Sequence, residues 1–134
     1  MMKAGLIFLV AFCVMLAGCL NYKSTGHPQG YLQGTVSIGP LCPVERNPPD
    51  PNCLPTQATF DAHPVWVWDS GHNNKIQRLM PDPNGNFNAT LDEGAYVADL
   101  DAHAGVGSSN LPAAVAIKAG QATTLDVSID TGIR

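Results

Sequence analysis

The feature that most constrains this chain is a period-two alternation that returns in short runs from Tyr31 onward. Leu32, Gly34, Val36 and Ile38 alternate with Gln33, Thr35 and Ser37. Phe87, Ala89 and Leu91 alternate with Asn88 and Thr90, and Tyr96, Ala98 and Leu100 with Val97 and Asp99. Ala113, Val115 and Ile117 follow, and then Leu125, Val127 and Ile129 alternate with Thr124, Asp126, Ser128 and Asp130. Successive side chains on a strand point to opposite faces, so each run has one face for a core and one for water. Val65–Val67 and the region of Ile76 add two more short runs. Asn84-Gly85, Glu93-Gly94 and Lys118-Ala119-Gly120-Gln121 offer the positive-φ residue that hairpin turns need. No stretch carries a helical period. Seven short strands with turns between them predict an all-β fold, a seven-stranded antiparallel β-sandwich. The 13 glycines and 11 prolines, with only 13% charged residues, suit such a turn-rich protein.

The N-terminus reads as an address. Lys3 supplies a positive charge, and Gly5 to Ala17 is an uncharged apolar run too short to span a bilayer, which takes about 20 residues. Leu16-Ala17-Gly18-Cys19 then resembles the bacterial lipobox. That resemblance implies cleavage after residue 18 and lipidation of the Cys19 thiol, with a further acyl chain on its freed amine. Two or more chains hold a protein on a membrane stably. The expected organisation is a signal at 1–18, a lipidated N-terminus and tether at 19–30, and one sandwich domain at 31–134. The expected location is the extracytoplasmic face of the cell membrane or outer membrane; Leu20 after the cysteine favours the outer one where two membranes exist. Removing 18 residues leaves 116 of the 134, enough for one modest core. The remainder carries six Lys and Arg against eleven Asp and Glu, a net −5 with no basic cluster. That lacks the electrostatic footprint of a nucleic-acid binder.

Export also frames the cysteines. Cys13 leaves with the signal and Cys19 takes lipid, so Cys42 and Cys53 remain as an even pair in an oxidising compartment. No CxxC motif is present and no histidine lies between them, which disfavours zinc; a disulfide is expected. Closing such a loop stabilises a fold by ~3 kcal/mol in the chain-entropy treatment. Pro43, Pro48, Pro49 and Pro51 stiffen the loop and bar it from a central strand.

Gly34-Thr-Val36, Val65-Trp-Val67, Gly85-Asn-Phe87, Gly94-Ala-Tyr96 and the last alternating run resemble, in order and spacing, the carboxypeptidase regulatory-like, or transthyretin-like, sandwich. More narrowly, Gly39-Pro-Leu-Cys-Pro-Val44 and Asp130-Thr-Gly-Ile-Arg134 resemble segments of small secreted prokaryotic proteins of this fold. The resemblance spans Leu32 to Arg134. It departs from the family at Asp92-Glu93, where a proline pair is usual, and in its disulfide loop. It implies an accessory or adhesive module without catalytic residues to carry over.

Chemistry-bearing motifs are sparse. The chain has no G-x-S-x-G elbow, H-E-x-x-H or phosphate loop. Asp61-Ala-His63 and Asp101-Ala-His103, if extended, would each place a carboxylate and an imidazole on one face. With His72 nearby they could hold zinc or copper; as ordinary residues at exposed strand ends they need no ion. Asp82-Pro-Asn84-Gly85-Asn86 resembles a calcium loop but lacks the distal bidentate glutamate, and a turn accounts for every residue. Trp66 and Trp68 are the sharpest candidates. If Val65 and Val67 face the core, both indoles stand on the outer face about 6.5–7 Å apart, a platform for a sugar ring or a partner protein. The alternative is that the proline-rich loop or a neighbouring strand covers them, which the solubility cost of exposed indoles favours.

The residues together predict a non-enzymatic, lipid-anchored binding or structural module of the cell envelope, without a cofactor. Its partners would be the membrane and a protein or carbohydrate, not nucleic acid. The rival readings are a metal-handling or hydrolytic lipoprotein using the Asp-His pairs, and a subunit of an envelope complex.

Overall fold

The computed structural model describes residues 26–44, 46–101 and 106–134. The expected signal, the expected lipidation site Cys19 and most of the expected tether lie outside the described residues, as does His103. Among the described residues no helix is long and apolar enough to cross a membrane.

Two sheets form the body. In chain order the elements are β1 (Gln29–Gly39), a 3₁₀ turn (Pro51–Cys53), α1 (Gln57–Ala62), β2 (Val65–Asp69), β3 (Lys75–Arg78), β4 (Asn86–Asp92) and β5 (Gly94–Leu100). β6 (Gly107–Ser108), β7 (Ala113–Ile117), β8 (Ala122–Thr124) and β9 (Val127–Asp130) complete them. The first sheet runs β4-β1-β9-β6, with β8 also pairing β1; the second runs β3-β2-β5-β7. The inward rows follow the alternation. Leu32, Val36, Ile38, Phe87, Ala89, Leu91, Val127 and Ile129 come from the first sheet, and Val65, Val67, Ala98, Val115 and Ile117 from the second. Phe60 of α1 and Leu79 join them, and the buried set contains no polar or charged residue. Interdigitating such rows removes apolar surface from water, the main stabilising term of a small sandwich.

The expected seven-stranded antiparallel sandwich needs correction in detail. All seven predicted runs are strands, but two-residue β6 is added and the last run is split, giving nine strands among the described residues. The pairing is also mixed: β1 lies parallel to both β8 and β9, and antiparallel to β4. Gly34 sits where the partner of β1 changes. A Cβ there would come within 1.8 Å of the Leu125 carbonyl oxygen, so only glycine admits this approach. Asp126 fills the break, its Oδ1 accepting from the Thr35 N–H and hydroxyl at 3.1 and 2.9 Å.

Three local expectations change as well. β1 opens at Gln29, inside the stretch expected to be tether. Gly94 does not take a positive φ, whereas Gly85 (φ 87°) and Gly120 (φ 68°) do. Residues expected to lack helix form the single turn-and-a-half of α1. Thr59 Oγ1 accepts the Thr56 N–H at 2.9 Å to start it, and Pro64 follows its end. Phe60 carries the tertiary reason: this short helix buries one ring in the core, which propensity alone does not signal.

Cys42 and Cys53 are joined by a disulfide, with Cα atoms 5.6 Å apart. The stapled loop continues from the far end of β1, opposite the end at which the N-terminal segment enters.

Candidate functional site

Val65 and Val67 are buried, so period two sends Trp66 and Trp68 to the outer face of the second sheet. Both indoles are half-buried there. Their cover comes from the adjoining hairpin arm, not from the disulfide loop. β3 pairs with β2 so that Lys75 lies opposite Trp68 and Arg78 opposite Trp66, with a register shift between Val67 and Trp68. Lys75 Nζ stands 5.0 Å from the Trp66 ring centre and 5.4 Å from that of Trp68. A cation over two indole faces is held by their quadrupoles, worth about 0.5–1 kcal/mol at an exposed site.

The β2–β3 turn sets this cover in place. Asp69 Oδ1 accepts the Asn73 N–H at 2.8 Å and Oδ2 the Asn74 side-chain amide at 2.7 Å. Those bonds, first to Asn73 and then to Asn74, hold the Asp69 carboxyl below its ordinary pKa, because each donor favours the charged form. The turn lets His72 adopt φ 56° and lay its ring edge-on to Trp68, with centroids 4.7 Å apart. His72 Nε2 also reaches Asp99 Oδ2 at 3.1 Å. Lys75 Nζ meets Asp101 Oδ2 at 2.9 Å. Arg78 donates to the Asp61 carbonyl at 3.0 Å. Trp66 Nε1, Trp68 Nε1 and Arg78 Nε are covered yet have no acceptor among the described residues. Covered N–H donors without partners carry a desolvation cost of about 1–3 kcal/mol each. This patch therefore combines aromatic faces, a cation and donors lacking acceptors.

The described metal candidates, Asp61, His63, His72 and Asp101, are not brought together. Asp61 lies in α1 and His63 caps it, so the extended geometry that would align them is absent. His63 Nδ1 is 2.8 Å from the Thr59 carbonyl oxygen, while Asp61 faces Arg78. His72 joins Asp99, not His63, and Asp101 takes Lys75. Among the described residues no three His, Cys, Asp or Glu side chains cluster as metal ligands. Asp82 makes a turn: its Oδ1 accepts the N–H groups of Asn84 and Asn86, each at 2.9 Å. Lys75 and Asp99 escaped the sequence reading, and His72 was read only as a metal candidate, because their place beside the indoles depends on the register between strands. The Asp69-Ser-Gly-His-Asn-Asn74 turn after a Trp-bearing strand was the one available hint.

A shallow cavity of about 350 Å³ opens at the stapled loop, between Leu41, Val44, Arg46, Asp50, Leu54 and Pro55.

No protein-family model matches the chain, and no curated protein matches it. Among solved structures it is similar to the minor pilin GBS52 of the gram-positive pathogen Streptococcus agalactiae, with a TM-score of 0.51 and 15% identity. That match covers 78% of this chain and 45% of the pilin, and it shows a likeness of fold. A DUF3823 family protein from Parabacteroides merdae aligns with a TM-score of 0.45 and 20% identity, over 78% of this chain and 47% of that one. The Bacillus anthracis TIE protein aligns with a TM-score of 0.46 and 16% identity, over 77% of this chain and 16% of its own. The chain thus spans less than half the length of each of these proteins.

Proposed function

We propose that this chain is a non-enzymatic, lipid-anchored module of a bacterial cell envelope, of the carboxypeptidase regulatory-like kind, that binds a ligand or partner on its tryptophan face. One observation carries the reading. Two tryptophans stand side by side on the outer face of the second sheet beneath Lys75, which also pairs with Asp101. A core-only role would turn them inward; a solvated face would not use tryptophan at all. An occupant with a flat apolar face would stack on the exposed parts of the rings. The disulfide suits an oxidising, extracytoplasmic compartment, and the lipobox supplies the anchor. Among the described residues Asp61, His63, His72 and Asp101, which a hydrolytic or metal reading needs, are engaged with other residues, which argues for binding over catalysis.

The test is replacement of both Trp66 and Trp68 by Ala, with capture from native envelope fractions and thermal melting measured together. Binding should be lost while a cooperative melt remains. Capture that persists in the folded variant would place binding elsewhere. Cys19→Ala separates anchoring from binding: the acyl label and membrane fractionation should vanish, and ligand capture should not.

A further inference from the structure

The sheet edges are finished differently. β3 ends the second sheet with Lys75, Arg78 and a register shift. At the other end β7 is bracketed by Pro112 and Lys118. In the first sheet β6 is only two residues long. Charge, proline, irregularity and shortness all keep an edge from pairing with another chain. β4 has only one charge, at its last residue Asp92, and none of the other features within its length. Its residues Asn86–Asp92 pair with β1 in unbroken register, with no proline and no charge before Asp92.

Hydrogen bonds show which of its backbone groups are free. The Tyr31 N–H goes to Gln121 and the Gln33 carbonyl receives the Leu125 N–H, so these residues of β1 face the last strand. Gly30, Leu32 and Gly34 therefore face β4, opposite Leu91, Ala89 and Phe87. Alternation along an antiparallel strand then sends the N–H and C=O of Asn86, Asn88, Thr90 and Asp92 to the open side. Asn86 is satisfied there by Asp82, which bonds both its carbonyl and its N–H. The Asp92 carbonyl accepts the Tyr96 hydroxyl at 2.7 Å. Both backbone groups of Asn88 and of Thr90 remain without a partner among the described residues.

We infer that this edge pairs antiparallel with β4 of a second copy of the chain, about a twofold axis at Ala89. In that register Asn88 lies opposite Thr90 of the second copy, and every free donor meets a free acceptor. Asp92 falls opposite Asn86, so like charges do not meet. On the inward side Phe87 faces Leu91 and Ala89 faces Ala89, which continues the apolar row from one copy into the other. This self-complementarity favours a second copy over an unrelated strand, and a twofold contact closes instead of propagating.

Sedimentation of the full chain in mild detergent across a wide concentration range should show a monomer–dimer equilibrium. Thr90→Pro removes an N–H aimed at the second copy, not at β1, and Asn88→Lys sets like charges beside the axis. Each should weaken the dimer at least about tenfold while melting stays cooperative. Mixing Asn88→Cys with Thr90→Cys should give a disulfide-linked heterodimer on mild oxidation, because Cα atoms in a hydrogen-bonded pair lie about 5.5 Å apart. Should Thr90→Pro fail to fold, the lysine variant and the cysteine pair still decide. A chain that is monomeric at every concentration, or a dimer that survives the lysine substitution and does not form the mixed cross-link, would overturn the inference.

Discussion

In β4 and β1 the inward residues are buried, Gly34 only partly, and apart from the exposed Tyr31 their outward neighbours are mostly small, neutral and polar: Asn88, Thr90, Gln33, Thr35. In β2 and β5 of the second sheet the inward Val65, Val67 and Ala98 are as well buried, with Tyr96 and Leu100 partly so, but the outward residues Trp66, Trp68, Val97 and Asp99 are all half-buried. The inward faces obey one requirement, which is to leave no polar group inside. The outward faces do not share a requirement. One meets water and needs only solubility. The other carries large aromatic surface and ties it down with Lys75, His72 and their carboxylate partners. Where an outward face departs from plain solvation, its aromatic surface needs cover of its own, which β3 and the β2–β3 turn supply here.

That contrast can be attacked by substitution. The largest effect belongs to the shared inward rows: Leu32→Ala, at a fully buried site, should cost about 2–5 kcal/mol in denaturant unfolding. Gln33→Ala, its outward neighbour, should stay within about 0.5 kcal/mol. If the two cost the same, the division between faces is wrong. On the second sheet Trp68→Ala should fall between them, near 2 kcal/mol, since a half-buried ring loses only part of the 3–5 kcal/mol of a buried one. A loss as large as that of Leu32→Ala would make the tryptophans core residues in all but direction.

Lys75→Met keeps the apolar stem and removes the charge over the indoles. It should lower stability by less than about 1 kcal/mol. Acrylamide should then quench tryptophan emission differently from the parent, because the charge no longer holds the stem over the rings. Unchanged quenching would mean that Lys75 does not cover them in solution.

The smallest effect concerns the first sheet's last strand. Asp130 is held at a pKa of about 2, first by its hydrogen bonds to Arg134 and then by the Gly132 N–H. An ordinary aspartate titrates near 3.9. A depressed native pKa gives a contribution that is full above the ordinary value and disappears as pH falls through about 2. A carboxyl-carbon NMR titration should find that low midpoint, and Arg134→Gln should move it back toward the ordinary range. At neutral pH and moderate salt the exposed pair should matter little to melting.

The legible part of this protein is what repeats locally. Period two placed Leu32, Phe87, Val115 and Val127 in the core, because a strand's geometry assigns faces residue by residue without reference to any other strand. The cysteine arithmetic left one pair, Cys42 and Cys53, and they are bonded. The direction of Trp66 and Trp68 followed from the same alternation once Val65 and Val67 were placed inside. Tertiary structure alone decided the rest. Only pairing with β3 and β5 sets Lys75 and Asp99 beside the indoles, and pairing is a choice among distant segments that no local pattern encodes. Burial of one phenylalanine made Gln57–Ala62 a helix, and that turned Asp61 and His63 to separate tasks. The parallel course of β1 with β8 and β9, and the open edge left on β4, are likewise properties of the assembled sheet, because a backbone hydrogen bond carries no side-chain signature to be read in advance.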